Sequence, residues 1–188
     1  MPANPIGRAL RNRRAGQHTL VWARPDLQAP ASFTLNSPAF EHGAAIAERY
    51  RGRLSGANIS PALAWTTPPV GTVELVLIVQ DPDAPRRQPA THALTRGIDP
   101  SPGGIPDDGL SDPSPIPGDQ TRQGRPRPPR LGRPPARALA RTTVLCLSTF
   151  ALDYHPELPD KFTLADALQI ISGHVIARAR LDGTYEIQ

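Results

Sequence analysis

Between Pro100 and Pro135 a proline recurs every few residues, eleven of them in all, and a chain interrupted that often cannot build a helix bundle. Each proline fixes φ and removes a backbone donor, which stiff loops and strand edges tolerate and helix interiors do not. The whole chain carries 24 prolines in 188 residues, roughly 13% against a usual ~5%. The expectation is a mainly β chain, long enough for one domain with a real core, in which no packed element survives from Pro100 to Pro135.

Around that segment the apolar pattern supplies strands. "SFTL" (32–35), "SPALAW" (60–65), "VELVLIVQ" (73–80) and "THALTRG" (91–97) read as four of them, with the turn "TTPPVG" joining the second to the third. "TTVLCLSTFALD" (142–153) reads as a long apolar strand. "TLADALQIIS" follows with Thr163 as N-cap, Asp166 at the capping-box position and Gly173 past the last turn, which predicts a helix over 164–172. "VIARARL" then sets Val175, Ala177, Ala179 and Leu181 on one face, a closing strand. Many strands with one helix near the C-terminal end predict a β-sandwich. Residues 1–30 read as a basic arm hugging the surface through Val21 and Trp22. Residues 31–188 read as the domain, with 100–146 a Pro/Arg-rich, irregular or diverged segment.

Charge is segregated along the chain. Residues 1–24 hold five arginines and no acid, and residues 120–152 hold seven arginines and no acid; the other nine bases stand against all 17 acids, a net of −8. The body is therefore acidic despite the high overall pI. The arginines of 122–141 could meet phosphate backbones, but no aromatic residue lies between Trp65 and Phe150 on which a base could stack. Nucleic acid is disfavoured as a partner. The single Cys146 excludes an intrachain disulfide, no stretch of ~18 apolar residues spans a membrane, and no positive-then-apolar leader opens the chain, so the expected location is cytoplasmic.

The chemistry concentrates where the apolar run Leu75–Val79 ends in "QDPDAP". Asp81 and Asp83 stand at the mouth of a buried strand, and His92 opens the next apolar run. A loop of about ten residues between neighbouring strands would return His92 to Asp81, at strand ends where pockets form. A carboxylate holding one imidazole nitrogen favours the protonated ring, which then serves an anion. A plain turn beside a satisfied core histidine remains the alternative. As a metal signature the trio lacks a second histidine. Nothing here is an obvious nucleophile: Cys146 lies inside an apolar run, and no Gly-x-Ser-x-Gly elbow is present. His18 falls in the arm; His42, His155 and His174 read as surface or turn residues, Trp65 as core and Tyr185 as packing at the sandwich edge. Asn58 and Ser60 are expected to bond the local backbone ahead of Pro61.

Taken in order, "FTLNSPAFEHGAAI", "GANISPALAW", "PPVGTVELVLIVQDPDAP", "FALD" and "GHVIARARLDGTYE" resemble the phosphatidylethanolamine-binding protein family, in its bacterial Raf-kinase-inhibitor-like branch. The resemblance covers roughly residues 30–110 and 147–188; "RNRRAG" and "RPDLQAP" are similar to the arm of an actinobacterial subgroup. It implies a β-sandwich whose small pocket takes phosphate-like head groups, with Asp81, Asp83 and His92 matching the pocket residues and Pro85 shaping the loop through an Ala84–Pro85 bond that can be cis in the family. It also implies a non-enzymatic protein without a cofactor, a small anionic or phosphorylated ligand, a kinase or protease as regulated partner, and homodimers in some members. The family's second motif, close to "GPxPPxGHGPHRYxF", is not matched. Counting back from "FALD", its histidine falls at Thr143, its tyrosine at Leu145 and its phenylalanine at Leu147, while the glycine-proline character survives at Gly132 to Pro135. The arginine-rich composition of 120–146 fits a translated frameshift in a GC-rich gene as well as a diverged loop. Two other functions stay open: metal-assisted phosphoester hydrolysis through the Asp/His cluster, and a degenerate member without a working pocket.

Overall fold

The run that ends in the two carboxylates is the axis of the molecule. The structure is a computed structural model describing residues 14–50, 57–84, 86–101, 103–111, 115, 120–123, 141–157 and 162–187. Its strands, in chain order, are β1 (Ala31–Ser32), β2 (Leu35–Asn36), β3 (Leu63–Trp65), β4 (Glu74–Asp81), β5 (Ala90–Ile98), β6 (Gly104–Ile105), β7 (Gln120–Gln123), β8 (Arg141–Leu152) and β9 (Val175–Ile187), with the helix α1 (Leu164–Ile171) before the last. A six-stranded sheet has the order β1-β9-β8-β4-β5-β7, and a three-stranded sheet the order β2-β3-β6. In the larger sheet only β1 runs parallel to its neighbour.

All eight residues of β4 are buried because both faces of its sheet are covered. Leu75, Leu77 and Val79 pack with Leu147 and Leu181 against Leu35, Leu63, Trp65 and Ile105 of the smaller sheet. Val76 and Ile78 face the other way, onto Phe150, Phe162 and the buried face of α1, Ala167, Leu168 and Ile171. Among the described residues the result is the expected mainly β sandwich with one α-helix. The capping box forms as its sequence predicts: Asp166 N donates to Thr163 Oγ1 (3.2 Å), and Thr163 N donates to Asp166 Oδ2 (2.7 Å). Trp65 is core, as expected, with its indole N–H donating to Pro100 O.

Three expectations are corrected. Packed structure does survive between Pro100 and Pro135, and β8 starts at Arg141, inside the segment read as irregular. Gly104–Ile105 pairs with β3, Ile105 and Leu110 are buried, and β7 pairs with β5. Pro106 follows the two-residue strand rather than interrupting it, and Gly104 lets the backbones meet: a Cβ there would stand 2.7 Å from Leu63 O. The last strand runs to Ile187, beyond Leu181. The arm has more anchors than Val21 and Trp22, since Ala15, Leu20 and Leu27 are buried as well. The Arg178 guanidinium lies 4.1 Å over the Trp22 ring and donates to Trp22 O, which holds the arm against β9.

Candidate functional site

Strand alternation puts Asp81 on the same side as Leu77 and Val79, facing the core between the sheets, and the carboxylate is 5% exposed. The loop turns on it: Asp83 N donates to Asp81 Oδ1 (2.7 Å), the local bond that aspartate offers a turn. Asp83 is held from two further directions. Val144 N on β8 donates to its Oδ2 (3.1 Å), and Arg14 Nη1 donates to its Oδ1 (2.9 Å). The arm also bonds the loop backbone, Gly16 N donating to Pro82 O (3.0 Å).

His92 reaches this carboxylate through a β-bulge. The β4–β5 register pairs Val79 with Ala93 but Gln80 with Thr91, so His92 is an extra residue with no partner. Ala93 faces the inter-sheet core and Leu94 the opposite one; strict alternation would send His92 away from Asp81. The bulge re-aims it, and Nε2 lies 4.0 Å from Asp81 Oδ2, an ion-pair separation and too long for a hydrogen bond. The imidazole side chain is 45% exposed, open to a ligand from solvent.

The Asp81 carboxylate favours the protonated ring, as expected, but loss of water around the imidazole outweighs it and Arg86 adds to the lowering, so the His92 pKa is lowered overall. Burial raises the Asp81 carboxyl, opposed by the Asp83 amide and by His92. Tyr185, expected at the sandwich edge, stands beside both carboxylates; burial, their charge and a hydrogen bond to Asp81 push its phenol up to about 12. Its face was legible, because β9 carries the phase of Ala177, Ala179 and Leu181 four residues further to Tyr185. Arg14 carried no such signal, being one arginine among several in the arm.

Thr143, where the count puts the second motif's histidine, is 1% exposed and pairs with Tyr185 across β8 and β9. Leu145 and Leu147 pack into the core. This stretch of β8 therefore gives the loop a peptide N–H and no imidazole. Pro85, with the Ala84–Pro85 bond, and Gly132 to Pro135 lie outside the described residues. Among the described residues, no group of three His, Cys, Asp or Glu side chains is arranged to hold a metal ion. Cys146 is buried, and burial pushes its thiol up to about 12, which leaves no thiolate for attack. Ser60 departs from its expected local bond: its Oγ accepts from Leu110 N, fifty residues on. His155 is exposed yet pairs with the buried Glu74 carboxylate, and His174 pairs with Asp153 (3.0 Å).

A family model described as phosphatidylethanolamine-binding protein matches residues 36–186. The chain is 36% identical over 160 residues to a UPF0098 protein of Mycobacterium tuberculosis, covering 81% of this chain and 70% of that one. Its fold superposes on the phosphatidylethanolamine-binding protein homolog CT736 of Chlamydia trachomatis with a TM-score of 0.66 and 26% identity, over 84% of this chain and 99% of that one. YbcL of Escherichia coli, described as a new member of the mammalian PEBP family, superposes with a TM-score of 0.68 at 22% identity, over 84% of this chain and 100% of that one, and shares the fold. Among the described residues no helix is long and apolar enough to cross a membrane.

Proposed function

The chain belongs to the phosphatidylethanolamine-binding protein family, and we propose that it is a non-enzymatic binding protein that holds a small anion or phosphorylated head group at the Asp81–Asp83–His92 rim. The observation that carries this is the bulge at His92, which turns an imidazole out of strand alternation toward a buried carboxylate while leaving it open to solvent. A bulge with no ligand to serve gains nothing here, since it gives up a ladder position without burying the ring. Asp81 and Asp83 organise the loop, and the His92 imidazole supplies a hydrogen-bond donor to an oxyanion. Pro85 belongs to this proposal as the residue that stiffens the loop.

Hydrolysis assisted by a metal finds no support in the geometry: Asp83 is engaged by Val144 N and Arg14, and among the described residues no group of three ligating side chains is arranged to hold an ion. Regulation of a kinase or protease, and a cytoplasmic location, are the finer parts of the same proposal. They rest on family kinship and on the lone thiol, respectively.

Titrating inorganic phosphate into the labelled protein while following amide and imidazole resonances tests the reading. Shifts should concentrate at His92, Asp83 and Val144 and vanish in His92→Ala. Resonances that stay unmoved at those three positions would remove the proposal.

A further inference from the structure

The rim just described meets an anion with the Asp81 and Asp83 carboxylates and a half-exposed imidazole whose pKa is lowered. Beyond Arg86, whose charge reaches His92, a guest bearing negative charge needs a further cation to offset the two carboxylates. From the contact between Arg14 and Asp83 we infer that the N-terminal arm completes the site, with Arg14 as the charged ligand-binding residue for a phosphomonoester; this rests on the anion-binding reading above.

Three observations converge on Arg14. Its Nη1 donates to Asp83 Oδ1 at 2.9 Å, so a pocket carboxylate aims the guanidinium. Asp83 is its acceptor among the described residues, and half the side chain is exposed (51%), which leaves the other N–H donors of the planar fork for a guest. The arm around it is pinned rather than draped. Gly16 N donates to Pro82 O, Gln17 Oε1 accepts from Arg180 Nη2 (2.6 Å), and Val21 N donates to the buried Gln80 Oε1 (2.9 Å). Gln80 and Asp81 are consecutive on β4 and point to opposite faces, so the strand that carries the first carboxylate also anchors the arm that carries the arginine.

The Arg14 end of the pair is half in water although Asp83 is only 14% exposed, so solvent screening keeps its value as a staple small. Its geometry suits orientation: a carboxylate on one edge of the guanidinium leaves another edge to grip two oxygens of a tetrahedral oxyanion, the bidentate recognition that lysine cannot reproduce. The ligand chemistry is then a phosphomonoester, from a soluble metabolite or from a lipid head group.

Calorimetric titration with inorganic phosphate and phosphoethanolamine, and sedimentation with phosphatidylcholine vesicles with and without phosphatidic acid, test this in the full chain. Arg14→Gln should bind about ten- to a hundredfold more weakly to every probe that the wild type binds, with a shallower salt dependence. Arg14→Lys should recover only part of the loss. Thermal melting without ligand should not move in either variant, which separates a binding role from a structural one. Binding to phosphoethanolamine alone identifies a soluble guest, and binding to the phosphatidic acid vesicles identifies a lipid. Equal affinity of Arg14→Gln and wild type would overturn the role of Arg14 while leaving the anion site standing. A wild type that binds none of the probes would remove both.

Discussion

His92 lies where a strand gives up one ladder position, and its charge state follows from that place. Its folded pKa is lowered, so the ring should titrate below the ~6.5 of an unperturbed histidine. By linkage, the stability tied to this group is present above the unfolded pKa and is lost as pH falls through ~6.5 toward the folded value. NMR titration of the imidazole reads this directly, and a midpoint above 6.5 would contradict it. Protonation adds positive charge, so an anion of fixed charge such as sulfate should bind more tightly as pH falls through the same window. Asp81 has the opposite sign: its raised carboxyl contributes stability in acid that is lost as pH rises through its folded pKa. Asp81→Asn keeps the acceptor for Asp83 N and removes the buried charge. Urea denaturation should find it at least as stable as the wild type at pH 7, with the difference closing in acid. A clear destabilisation at pH 7 would mean that the charge stabilises the loop. Cys146, buried and with its thiol pushed up to about 12, should resist alkylation in the native protein and react once it is unfolded.

Among elements, the strands that alternate or run apolar were legible because periodicity reports burial: the β4 run and the capped α1 form where their residues predict, and the β9 alternation forms and runs on past Leu181 to Ile187. Two features were hidden for physical reasons. The bulge at His92 is a register event between two strands, and neither strand carries a glycine or proline at that position to announce it. Strand β6 is two residues long, below any period, and proline density around it masked a pairing that Gly104 permits. Gly104→Ala would bring a Cβ to 2.7 Å from Leu63 O, a backbone atom fixed by the β3–β6 ladder. It should destabilise by ~1–3 kcal/mol in urea melts, as overpacking does. A neutral result would mean that the small sheet shifts freely. At α1, Thr163→Ala removes the cap that satisfies Asp166 N and should cost about 1 kcal/mol.

For the molecule as a whole, the arm belongs to the packed structure. Leu20, Val21 and Leu27 are at most 3% exposed, and burying each is worth ~1.5–3 kcal/mol. A chain beginning at Ala31 should therefore lose on the order of 5 kcal/mol, a large share of the ~5–15 kcal/mol that holds a domain together. The arm's tie to the site also gives Arg14 a use on a body that, outside residues 1–24 and 120–152, carries a net charge of −8. A negatively charged guest is then expected between the bulged imidazole and the arm's guanidinium. Soaking crystals with tungstate, a tetrahedral oxyanion whose anomalous signal marks its own place, tests it most directly. The predicted result is one strong peak within hydrogen-bonding reach of His92 and Arg14, lost from crystals of His92→Ala. A site left empty at saturating tungstate, with the ion bound elsewhere on the surface, would contradict it.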